Sequence, residues 1–265
     1  MKKTRLLRIS LLAVLVGLIF GVSQALADVY MKQKTHTDAF QVMGKSQPEK
    51  NEIMTFWLGE NKARTDMETA KTSSILLADK KIIIMIDHNK MQYAEMSVDF
   101  DKMISDATAA GAGDDPDKAK AMEKMPAAMK NMMKGMMEGM SATVTDTGET
   151  KTIGSWTCRK YLVEMNMGMM GKVKSESWAT EDLKVDTSLY FTSANAMMAS
   201  QPGFEKIAQE MRKIKGVVVS TASAMTVMGS DVTSTTELLE CADKAAPAGT
   251  YELPAGYTKV KGIKG

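Results

Sequence analysis

Residues 81–96 read KIIIMIDHNKMQYAEM, and the first half of that phrase has no polar side. Successive side chains of a β-strand point to opposite faces, so Ile82 to Ile86 would present apolar groups in both directions. Asp87-His88-Asn89 is a turn signal short enough for a hairpin, and KMQYAEMS should therefore run back antiparallel. A strand that is apolar on both sides needs cover on both. A curled sheet with helices against its concave face would provide it.

The neighbouring sequence is written in the same idiom. VYMKQKTHT, EIMTFWLG, KARTDME and SSILLA precede this hairpin, rich in β-branched and aromatic residues and separated by Gly59-Glu60-Asn61 and Asp79-Lys80. In EIMTFWLG, Met54, Phe56 and Leu58 share one face, with Ile53 and Trp57 on the other. The character then changes. Two helical insertions are expected, at about 99–140 and 189–215, the first broken by Gly111 to Pro116 and carrying Pro126, the second interrupted at Gln201-Pro202-Gly203. Strand phrases SATVTDTGE, WTCRKYLVEM and VKSESWAT lie between them, and GVVVSTASAMTVM, SDVTSTTELLECA and an edge segment TYELPAGYTKVK follow. The expectation is an α+β chain: a curled antiparallel sheet of about ten to eleven strands, a half-open β-barrel, with a helical lid.

The chain starts with Lys2, Lys3, Arg5 and Arg8, an uncharged apolar run from Ile9 to Val22, and Ala25-Leu26-Ala27. That is the pattern of a secretory signal peptide over residues 1–27, with cleavage after Ala27 and a single domain over 28–265. Asp28, not Cys, follows the cut, so no lipid-anchored thiol is expected, and the mature protein should be periplasmic and monomeric. Losing four cations turns the formal charge from +2 to about −2, which argues against a nucleic-acid partner. Cys158 and Cys241 are the two cysteines; in an oxidising compartment they are expected to pair as a disulfide, the alternative being two separate buried thiols.

Methionine is the compositional anomaly, with 26 in the chain and eight of them between Met122 and Met140. Met122, Met125, Met129, Met132, Met136 and Met140 fall on one helical stripe that Met133 and Met137 widen, opposite a face of Lys and Glu. Such a stripe packs into a core, or forms an adaptable lid over an apolar cavity, because unbranched thioethers re-pack around variable partners. Lid and lining residues are then Met122 to Met140 of the stripe with Trp57, Ile83 and Met85. A copper(I) site is the sharper alternative, with Met165, Met167, Met169 and Met170 of MNMGMM as a compact set. Against it, the helical stripe spreads its sulfurs over roughly 27 Å, where one ion needs several converging. A third alternative is a protein-protein interaction module that docks a transient envelope partner through the stripe.

Catalysis is not expected. G-x-S-x-G, H-E-x-x-H and Cys-x-x-Cys are all absent. His88 and His36, the two histidines, read as exposed turn and strand-end imidazoles rather than general bases. No cofactor is expected either.

The order Gly59-x-x-Lys62-x-Arg64, the hairpin IIIMIDHNKMQYAEM, a helical insertion, TIGSWTCRKYLVEM, SESWAT, KGVVVSTASAMTVM and ELPAGY resembles a family of exported proteins placed with the LolA/LolB-like periplasmic lipoprotein carriers. The resemblance covers most of the chain after residue 27. It implies a half-open antiparallel barrel whose concave apolar face is capped by helices and shelters acyl chains. The function expected is therefore a non-catalytic periplasmic binding protein for lipid or another apolar small molecule. Two departures stand out: the lid is far richer in methionine, and the carriers' lid-locking arginine matches no position here. Arg64 reads as a solvated strand residue.

Overall fold

The structure, a computed structural model, describes residues 28–42, 44–99, 102, 131, 135, 139–168, 171–186, 189, 204–227 and 230–263. Its main feature is one sheet in the spatial order β14-β8-β7-β6-β5-β4-β1-β13-β12-β11-β10-β9, antiparallel except for β14 on β8. The strands are β1 (Asp28–Thr37), β4 (Lys50–Gly59), β5 (Lys62–Met67), β6 (Thr72–Leu77), β7 (Ile82–Asp87), β8 (Gln92–Ser97), β9 (Ser141–Ile153), β10 (Trp156–Asn166), β11 (Lys172–Thr180), β12 (Val217–Val227), β13 (Ser230–Lys244) and β14 (Thr258–Lys259). Twelve strands thus replace the ten or eleven expected. A further hairpin of β2 (Phe40–Val42) and β3 (Lys45–Gln47) has strands of three residues, the second wholly polar, too short a pattern by which to find it. The sheet curls without closing, since β9 and β14 at its two ends do not pair.

From β4 to β8 the chain turns back on itself at a fixed interval. Asn61, Lys71, Lys81 and Met91, ten residues apart, each close a turn at φ between 50° and 57°. The inner face of this half carries Leu58, Ala63, Leu76, Ile83 and Met96 in one cross-strand row and Phe56, Thr65, Ser74, Met85 and Ala94 in the next. The outer face carries Trp57, Arg64, Ile75 and Ile84. Both faces of β7 are apolar, as its sequence requires, but among the described residues the cover of the outer one is not helical. Tyr251, Leu253 and Tyr257 of the C-terminal tail pack there against Ile75, Ile84 and Ile86.

The other half, β9 to β13, holds helix α1 (Phe204–Met211) against its inner face. Ile207 is buried, and Met211 and Ile214 meet Val144, Tyr161, Val163 and Ala179. The Glu210 carboxylate accepts the Val144 N–H at 2.9 Å, so the helix satisfies a backbone group of the edge strand β9. Glycine is required at the exit from this element: Gly216 has φ +80°, and a Cβ there would lie 2.0 Å from the Thr180 carbonyl oxygen. Residues 102, 131, 135 and 189 are helical. Most of both expected helical insertions otherwise lies outside the described residues, as do residues 1–27.

The expected disulfide is not formed. Cys158 on β10 is fully buried, Cys241 on β13 is half-buried, and both are free thiols. Strands β11 and β12 intervene, a separation of roughly 14 Å along the sheet, where a bridged pair needs Cα atoms about 4.4–6.8 Å apart. Burial pushes the Cys241 thiol up to about 11 and raises that of Cys158 as well, so neither is a ready thiolate.

Candidate functional site

Under α1 the sheet does not fill its own concavity. A hollow of about 280 Å³ is lined by Gln33, Val163, Met165, Val173, Val219 and Leu238 together with hydroxyl residues of β11 to β13. A second hollow of about 100 Å³ lies beside it, bounded by Val29, Met31, Val185 and Val217. Gln33, Met211, Ile214 and Val218 line both, so residues at and just after the end of α1 form the partition between the two. Valine, isoleucine and leucine give these walls fixed shapes. Met211 is different, because an unbranched thioether can swing between rotamers at little cost.

The floor of the larger hollow is amphipathic in an ordered way. One cross-strand row on the inner face runs Ser177, Thr221, Thr236, Thr35; the next runs Ser175, Ser223, Ser234, Thr37. Within the first row the hydroxyls satisfy one another, Ser177 to Thr221 at 3.2 Å and Thr35 to Thr236 at 3.0 Å. Each row ends on β4 in a charged residue, Glu52 opposite Thr35 and Lys50 opposite Thr37. Their side chains lie 3.3 Å apart, and the Glu52 carboxylate, 7% exposed, also accepts the Thr69 N–H at 2.7 Å. Burial pushes the Glu52 carboxyl up, but the Thr69 hydrogen bond and Lys50 outweigh it and hold the group below its usual range.

The residues expected to line a cavity divide. Ile83 and Met85 share the inner face with Phe56 and Leu58. Trp57 does not: it stands on the outer face, 4.8 Å between ring centroids from Tyr30, with the Lys244 ammonium 3.6 Å above that tyrosine ring. The two-residue period put Trp57 opposite Phe56, and only the side on which α1 lies makes that face the outside. Met140 is buried, while Met122, Met125, Met129, Met132, Met133, Met136 and Met137 lie outside the described residues. Of the MNMGMM set, Met165 lines the larger hollow, and the Met167 N–H closes a tight turn onto the Gly171 carbonyl at 2.9 Å. Met169 and Met170 again lie outside the described residues. Among those described, no three His, Cys, Asp or Glu side chains converge as a metal-binding group.

His88 is where sequence reading missed most. It is not an exposed turn imidazole: Nε2 lies 2.6 Å from Ser73 Oγ and Nδ1 lies 2.7 Å from the Tyr257 hydroxyl. Ser73 donates to Asp66, which holds Arg64 through two contacts of 2.8 and 2.9 Å, and Arg64 donates to the Thr250 carbonyl at 3.0 Å. Arg64 is thus a half-buried anchor of the C-terminal tail, 15% exposed, rather than a solvated residue. A serine-histidine contact invites a nucleophilic reading, but Ser73 is 3% exposed under the tail, and the carboxylate bonds the serine instead of orienting the imidazole.

No protein-family model matches the chain, and no curated protein matches it significantly. Among solved structures, a Vibrio parahaemolyticus domain provisionally described as an outer membrane lipoprotein-sorting protein domain aligns over 85% of this chain and 89% of that one, at TM-score 0.32 and 6% identity. A likeness that loose leaves function to be argued from the hollow itself.

Proposed function

We infer that this is a non-catalytic, exported binding protein that holds a lipid or another amphipathic apolar molecule between the concave sheet and α1. The observation that carries the reading is the pair of hollows divided by Met211 and Ile214, apolar on most sides and left unfilled by the sheet's own side chains. At about 280 Å³ the larger one lies just under the usual range of ligand sites, and displacement of Met211 would join it to its neighbour. In this reading the methionine stripe of residues 122–140 adds a second adaptable wall. The order of sequence phrases, which resembles that of a family of exported proteins placed with the LolA/LolB-like carriers, supports the same class of ligand. Among the described residues no helix is long and apolar enough to cross a membrane.

The test uses residues 28–265 and the uncharged fluorophore N-phenyl-1-naphthylamine, whose emission rises in apolar surroundings. Saturable uptake is expected, and Met211→Trp, which fills the partition between the hollows, should weaken it roughly tenfold with the fold intact. Absence of saturable uptake, together with no acyl chain in organic extracts of the freshly purified protein, would overturn the reading.

A further inference from the structure

We propose that the inner hydroxyl rows of β11, β12 and β13 are a headgroup subsite, and that the ligand they select is an uncharged amphiphile with a polyol head, such as a monoacylglycerol, rather than a fatty acid or an anionic phospholipid. This rests on the binding reading above and specifies its ligand.

Three observations carry it. First, the larger hollow has two chemistries in one space: its sheet floor carries Ser175, Ser177, Thr221, Ser223 and Thr236 among Val163, Met165, Val173, Val219 and Leu238, and Met211 and Ile214 close it from the other side. Burying hydroxyls beside apolar walls is costly unless they are paired. Second, the two rows are not equivalent. The Ser177 row closes on itself at 3.2 and 3.0 Å, whereas Ser175, Ser223 and Ser234, all half-buried, make no side-chain hydrogen bond among the described residues. Hydroxyls that both donate and accept, set in a row across adjacent strands about 4.8 Å apart, complement the spaced hydroxyls of a polyol. Third, none of the residues lining this hollow carries a charge, and the smaller hollow has only Asp186. Two cations stand near these rows and both are paired: Lys50, at the β4 end, with Glu52 at 3.3 Å, and Lys174, which with Ser175, Ser223 and Ser234 lines an adjoining open hollow, with Glu164 at 3.0 Å. A carboxylate or phosphate entering here would lose its water without gaining a counter-ion.

The experiment competes soluble amphiphiles of equal chain length against N-phenyl-1-naphthylamine on the protein of residues 28–265: 1-monodecanoylglycerol, decanoate and didecanoyl phosphatidylglycerol. The neutral glyceride is expected to displace the fluorophore at a concentration at least tenfold below that of decanoate. Ser175→Ala combined with Ser223→Ala should remove roughly that tenfold preference, because each loses a hydroxyl that no described side chain satisfies; the preference is read as the ratio of the two displacement concentrations on the same variant, so any change in fluorophore affinity cancels. Equal or better displacement by decanoate or the phospholipid would overturn the proposal, as would retention of the preference in the double variant. If the fluorophore is not taken up at all, the binding reading fails and this one with it; uptake without headgroup preference sinks this one alone.

Discussion

At the level of single residues, the informative positions are polar ones that the curl of the sheet has taken out of water. Glu52 has its carboxyl held below the ordinary carboxylate range against the opposing effect of burial. A group whose folded value lies below its unfolded one adds stability above the unfolded value, near pH 4.5, and loses it as pH falls through the folded value. Glu52→Gln should therefore cost about 1 kcal/mol in urea melts at pH 7 and almost nothing near pH 3, relative to the native chain under the same conditions. A gap that stays constant between those pH values would show that Glu52 acts by shape alone. Nothing in the local sequence marks Glu52 as buried, because it opens a β-phrase beside exposed Lys50 and Asn51. His88 was misread for the same reason: its partners Ser73 and Tyr257 stand 15 and 169 residues away. Residue types announce chemistry, but partners separated by that much chain are set by topology.

Elements were far more legible than partners. Every long strand follows a stretch of apolar alternation or a doubly apolar run, and three of the four turns between β4 and β8 carry Gly, Asn or Asp, the exception being Glu68 to Lys71. What sequence did not disclose is that these turns repeat a strained residue every ten positions. Asn61, the first, belongs to a type that tolerates φ near +60°, whereas Lys71, Lys81 and Met91 do not. Lys81, exposed and at φ 53°, is the cleanest case. Lys81→Gly should raise stability by about 0.5–1 kcal/mol, the relieved strain less the extra freedom glycine brings to the unfolded chain, and Asn61→Gly should gain less. Thermal melts of the two variants decide it; a lower midpoint for Lys81→Gly would mean that its side chain contributes contacts worth more than the strain. The failed disulfide belongs to this scale too. Two cysteines and an oxidising compartment predict a bridge, but strand order, which put β11 and β12 between them, is not written in either cysteine's neighbourhood.

Across the whole molecule, the doubly apolar β7 needed cover on two sides, and the chain supplies the outer cover from its opposite end. Tyr251, Leu253 and Tyr257 close over Ile75, Ile84 and Ile86; Arg64 holds the tail at the Thr250 carbonyl and His88 holds it at the Tyr257 hydroxyl. A sequence reading sees only an edge segment there, because the two residues Thr258–Lys259 that pair with β8 are the part with strand character. The two descriptions make different demands on the molecule. If the tail is merely an edge strand, removing residues 246–265 should fray β8 and leave the rest protected. If it is the outer layer of the core, its loss bares three isoleucines at once, a cost on the order of 3–5 kcal/mol from the apolar area returned to water. Amide hydrogen exchange then separates them: protection in β6 and β7 should collapse in the truncated chain, while β10 to β12, whose inner face is covered by α1, keep theirs. Retained protection in β6 and β7 would reduce the tail to an edge segment and leave the outer isoleucines needing some other cover.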